Sequence, residues 1–144
     1  MKSSVWGMML CLCLAACATG PVPVHRAQLA SLGKSSPVGE VDKAIAQATP
    51  LKSFEVQHNS VGYFVRSYNL QTGTDMQMIP VCTPTCIMVM MNVPVFTDYL
   101  VIQSLPEKNL FAWGTVEELS KDEDANVSEL MPVLKPKLYE GKKP

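Results

Sequence analysis

The residues of this chain whose spacing carries chemistry are its sulfur residues, five cysteines and nine methionines among 144 residues. Cys82 and Cys86 bracket Thr83-Pro84-Thr85, a tripeptide with turn-forming character. If the flanking segments pair antiparallel with Cys82 opposite Cys86, then Pro80 faces Met88, Met78 faces Met90 and Met76 faces Asn92. Alternation then puts Met76, Met78, Met88 and Met90 on the face of both cysteines, and Ile79, Val81, Ile87, Val89 and Met91 on the other. Three chemistries suit this set. A Cys82–Cys86 disulfide fixes the hairpin register while the flexible methionines fill a core between a sheet partner and a helix. Thiol and thioether sulfurs suit soft Cu(I), with Cys82, Cys86, Met78, Met88 and Met90 as its ligands. A thiol pair also exchanges disulfides, although the Cys-x-x-Cys spacing usual for that chemistry is absent.

No other constellation points to catalysis, and no catalytic residue is assigned. His25 lies in a Pro- and Gly-rich stretch, and His58-Asn59-Ser60 reads as a turn in which imidazole and hydroxyl point apart. The spacings Gly-x-x-x-x-Gly-Lys and His-Glu-x-x-His do not occur. The expectation is a protein that is not an enzyme.

The N-terminus carries a different kind of message. Lys2 precedes an uninterrupted apolar stretch over residues 5–16, which as a helix would span about 18 Å and fall short of the roughly 30 Å hydrocarbon core. Leu14-Ala15-Ala16-Cys17 resembles the lipobox of bacterial lipoproteins. Cys11 and Cys13 each follow a bulky leucine and do not fit that pattern. The resemblance implies removal of residues 1–16, a diacylglycerol on the Cys17 thiol and an acyl chain on its new amine. Ala18 and Thr19, with no Asp beside the cysteine, are similar to the outer-membrane sorting class. Several acyl chains make such anchoring effectively permanent, so the membrane is reached through lipid alone.

With Cys11 and Cys13 in the signal and Cys17 lipidated, Cys82 and Cys86 are the remaining pair, in an oxidising compartment where a disulfide is the simplest state. Their Cys-x-x-x-Cys spacing is also similar to that of copper-delivering proteins of the cytochrome oxidase assembly type. That likeness is confined to Cys82 and Cys86, because no strand-helix-strand pattern surrounds them.

The elements follow from periodicity. Residues 1–16 are the signal peptide, 17–37 a lipidated N-terminus and flexible tether rich in Pro, Gly, Ser and Thr, 38–134 one periplasmic domain, and 135–144 a basic tail. Apolar positions at Val38, Val41, Ala44, Ile45 and Ala48 predict a helix ended by Thr49-Pro50. Period-two segments predict strands at 61–68, 76–81, 87–96, 99–104 and 110–116, with turns at 69–75, 83–85, 97–98 and 106–109. Thr115-x-x-Glu118 and Asn126-x-x-Glu129 are helix entry signals for two short C-terminal turns. The fold class is therefore α+β: a small antiparallel sheet of four to five strands with one preceding helix and short helical turns after it.

The net charge of −1, or −2 without residues 1–16, excludes the basic excess of a nucleic-acid binder. Phe111 and Trp113 form an aromatic pair on the last strand and are the candidate partner-binding residues if that strand's edge is open. Together these features predict a non-enzymatic lipoprotein at the periplasmic face of the outer membrane, acting as an interaction or assembly accessory for another envelope protein.

Overall fold

The computed structural model describes residues 22–141; residues 1–21, with the expected signal peptide and Cys17, and residues 142–144 lie outside the described residues. The fold is α+β, with four strands in one antiparallel sheet of order β1-β2-β3-β4: β1 Lys52–His58, β2 Val61–Cys82, β3 Cys86–Ser104 and β4 Asn109–Thr115. Two short helices precede it, α1 Arg26–Leu29 and α2 Val38–Ala44, and two follow it, α3 Val116–Ser120 and α4 Ala125–Tyr139. His58 pairs with Val61 across Asn59-Ser60, whose φ angles of 49° and 63° are those of a type I′ turn, the two-residue turn whose twist matches a hairpin.

The body of the sheet is buried on both faces. Val56, Tyr63, Val65, Leu100, Ile102 and Ala112 pack against Leu119 of α3 and against Val127, Leu130, Met131, Leu134 and Leu138 of α4. On the other face Tyr68, Leu70, Tyr99, Val101 and Leu110 meet Val24, Leu29, Val41 and Ile45. Helical cover on both sides explains why residues 99–102 read as an unbroken Tyr-Leu-Val-Ile run instead of alternating with polar residues.

Four expectations change. Residues 52–58, outside every predicted strand, form the edge strand β1. Residues 22–37 are not a tether: Val24 and Leu29 are buried, Val24 N–H donates to the Asn69 carbonyl at 2.8 Å, and residues 35–38 lie along β4 and the turn before it. The isolated apolar positions among Pro and Gly were core contacts of an irregular segment. The first two predicted strands, and likewise the next two, are single long strands. The expected turns at 69–75 and 97–98 lie opposite each other, with Asn69 paired to Asp98 and Leu70 to Thr97, so their polar residues mark a neck in the sheet. Finally, the basic tail is partly helix. α4 begins on Asp124, whose carboxylate accepts from Asn126 N–H, and it runs through Lys135 and Lys137 to bury Leu138. Pro132 and Pro136 sit on its exposed side, where a carbonyl left without its helical partner costs least.

Candidate functional site

Beyond the neck, β2 and β3 leave the body as a two-stranded arm. Its outer part, residues 71–96, has no buried residue; only Ile79, Val89 and Val93 are half-buried. From residue 71 to residue 82 the strand runs about 36 Å at roughly 3.3 Å per residue. Within these 26 residues Asp75 is the single ionisable side chain outside the cysteines. Met76, Met78, Ile87, Met88 and Met90 are each more than half exposed, at 57–64%. The apolar hairpin expected between a sheet partner and a helix instead stands free, because both helical layers end at the neck; residues 23–27 line a cleft with its root at 71–74, and beyond that no described residue of the arm is buried.

The register matches the pairs inferred from sequence: Cys82 opposite Cys86, Pro80 opposite Met88, Met78 opposite Met90 and Met76 opposite Asn92. A disulfide joins Cys82 to Cys86 at the tip, across a Cα separation of 3.9 Å. At the neck Thr72 is an extra residue between the Gln71–Phe96 and Gly73–Val95 pairs, and its hydroxyl lies 3.2 Å from Thr97 Oγ1.

This bulge decides what the arm's edges look like. Before it, the Ser67 and Asn69 carbonyls point away from β3, accepting from Leu51 and Val24. One extra residue shifts the phase, so Thr74, Met76, Met78, Pro80 and Cys82 turn their backbone groups outward, as do Cys86, Met88, Met90, Asn92 and Pro94 on β3. Pro80 and Pro94 thus cost the hairpin no internal bond, and each removes one donor from an open edge. Proline at such positions is a device that discourages strand addition.

The remaining sequence candidates lie elsewhere. Phe111 packs on Tyr63 with ring centroids 4.9 Å apart, and Trp113 packs on Tyr99 at 6.0 Å with the Arg26 guanidinium over its ring. The β4 edge beside them is partly taken: Leu110 bonds Ser35 and Ser36 through its backbone. His58 lies at the β1–β2 turn with Nε2 3.1 Å from Asn59 Nδ2, and His25 is the residue before α1. Neither joins the methionine face.

Where the N-terminal segment meets the body, Arg26 donates to Glu118 at 2.6 Å. The Thr115 N–H holds the Glu118 carboxyl below the usual carboxylate range; partial burial opposes this and Arg26 adds to it. Gly114, at φ +155°, has a backbone conformation that L side chains rarely adopt, and a Cβ there would lie 3.2 Å from Glu118 Oε2, so the carboxylate would have to give. Burial pushes the Tyr99 hydroxyl up. These groups fasten layers together, and Arg26 also lines an open cleft with His25, Leu70, Thr72 and Thr74.

Sequence reasoning missed the exposure of the arm. The signal was present as a long uncharged stretch whose two polar interruptions, 69–75 and 97–98, fall at one level of the hairpin. Among the described residues no cluster of three or more His, Cys, Asp and Glu is placed to hold a metal, and no helix is long and apolar enough to cross a membrane. No family model, curated protein or solved structure matches the chain.

Proposed function

We propose that this chain is an outer-membrane lipoprotein, anchored through Cys17, that acts without catalysis as an assembly accessory by inserting its arm into an apolar slot of another envelope protein. The observation that carries this reading is the arm: 26 projecting residues, one charge, and apolar side chains on both faces. Contiguous exposed apolar surface of this extent marks interaction sites, and some 20 to 30 residues per partner is the usual size of a stable interface.

The character of the partner follows by comparing costs. Strand addition is disfavoured because each open edge carries a proline. Burial in bilayer hydrocarbon would strand the outward backbone groups of both edges at several kcal/mol each. The arm has no Lys or Arg with which to hold anionic headgroups. A protein slot that covers both faces and offers polar groups at its rims meets all three constraints. The anchor supports the same reading, since the seven residues from Cys17 to Val24 reach at most about 25 Å and keep the root of the arm close to the membrane.

The test is site-specific photocrosslinking in intact envelopes from positions 79 and 89. Adducts with one heavier envelope protein are expected from both positions, those from position 79 being abolished by Val89→Asp. Adducts only with further copies of this chain, or none, would overturn the slot.

A further inference from the structure

The two faces of the arm are apolar in different ways. One carries Ile79, Val81, Ile87, Val89, Val93 and Val95, with Met91 as its single methionine. The other is methionine at every aliphatic position: Met76, Met78, Met88 and Met90. β-branched residues are the better strand formers and equally apolar; methionine's adaptability suits a docking face, and its thioether sulfur adds a soft donor that valine and isoleucine lack.

We propose that Met78 and Met90, joined by either Met76 or Met88, form a binding site for a soft monovalent cation, Cu(I), made of thioethers alone. Met78 and Met90 are directly opposed in a pair whose backbone groups turn outward, the arrangement that brings Cβ atoms to about 4.5–5.5 Å. Met90 has Met76 as its diagonal neighbour and Met78 has Met88, within about 8 Å. Met76 and Met88 stand four strand positions apart, about 13 Å, too far to share an ion; but each side chain has three rotatable bonds and is exposed, so the sulfurs of Met78, Met90 and either Met76 or Met88 can converge on one ion without disturbing the backbone.

The donor set fixes the selectivity. The cysteines are consumed in their disulfide, which leaves no thiolate, and this face has no His, Asp, Glu, Lys or Arg. Neutral thioethers suit Cu(I); Zn(II) and Cu(II) favour the nitrogen, oxygen and thiolate donors missing here. None of these methionines takes up a proton in the physiological range, so affinity holds as pH falls, unlike that of a histidine or thiolate site. The site is independent of the docking reading, because replacing methionine by leucine removes the sulfur and keeps the apolar surface.

The experiment is anaerobic titration of the full chain, disulfide intact, with Cu(I) against a chromophoric Cu(I) chelator at pH 7 and pH 5. One equivalent should be retained at both pH values. Met78→Leu with Met90→Leu should weaken retention at least tenfold, whereas Met91→Leu and the Cys82→Ser/Cys86→Ser pair should leave it unchanged. Ag(I), the redox-inert analogue, should shift the methyl resonances of Met78, Met90 and at least one of Met76 and Met88, and not that of Met91. No retention, retention unaffected by the double leucine variant, loss in the serine pair, or a steep fall between pH 7 and pH 5 would each overturn the proposal. If crosslinking from the arm persists in the leucine variants, docking and metal binding are separated.

Discussion

Arg26 on α1 and Glu118 on α3 are 92 residues apart in sequence and 2.6 Å apart in space, and the carboxylate they share with the Thr115 N–H ties the N-terminal segment to the C-terminal helices. The Glu118 carboxyl is held below its ordinary range, as are those of Glu117, bonded to Lys121, and Asp124, bonded to Asn126 N–H and Lys34. Carboxyls depressed in the folded state contribute stability that is present above the unfolded value of about 4.3 and lost as pH falls through the folded one. The thermal midpoint should therefore decline between pH 5 and pH 3. Glu118→Gln should flatten part of that slope, by less than about 1 kcal/mol because the side chain is 43% exposed. An unchanged slope would show that the pair contributes nothing.

The body and the arm should respond to truncation unequally. Leu134 is fully buried in α4, and Leu134→Ala should cost about 2–5 kcal/mol in denaturant unfolding. Met78→Ser, on a side chain 61% exposed, should change the same transition by less than about 0.5 kcal/mol. Comparable losses would mean that the arm packs on the body.

Reduction of Cys82–Cys86 should act locally. The bridge closes a five-residue loop, for which chain entropy predicts less than the roughly 3 kcal/mol of a 15-residue loop. Hydrogen exchange should speed up around residues 81–87 while Val101 and Ile102, buried between two helical layers, keep their protection. Global unfolding on reduction would refute this division.

Lipidation should depend on one cysteine. Cys17→Ser should abolish palmitate incorporation and leave an uncleaved precursor, whereas Cys11→Ser and Cys13→Ser should label and sort normally. Label retained in the Cys17 variant would move the anchor elsewhere.

How much of this was legible in the sequence differs by residue. The pairing of Met78 with Met90 followed from the Cys82–Cys86 turn and the period of two, because a short loop leaves few registers. The Thr115-x-x-Glu118 box appears as written, with both of its bonds formed. What could not be read was which apolar stretches would find cover. Val24 and Leu29 are scattered among prolines, glycines and serines yet end up in the core, while the denser run from Ile87 to Met91 ends up in water. Hydrophobicity measures the tendency to leave solvent; only tertiary arrangement shows whether another layer is there to receive it. Likewise the neck residues 69–75 carry turn chemistry that a strand overrides once Thr72 is accommodated as a bulge.

An oxidant that reaches Met76, Met78, Met88 or Met90 converts an apolar thioether into a polar sulfoxide, a lesion that reductases repair. The valine and isoleucine face offers almost nothing to the same reagent. Oxidative stress would therefore roughen one side of the arm and spare the other, removing soft-metal donors and grease together until the sulfur is reduced again.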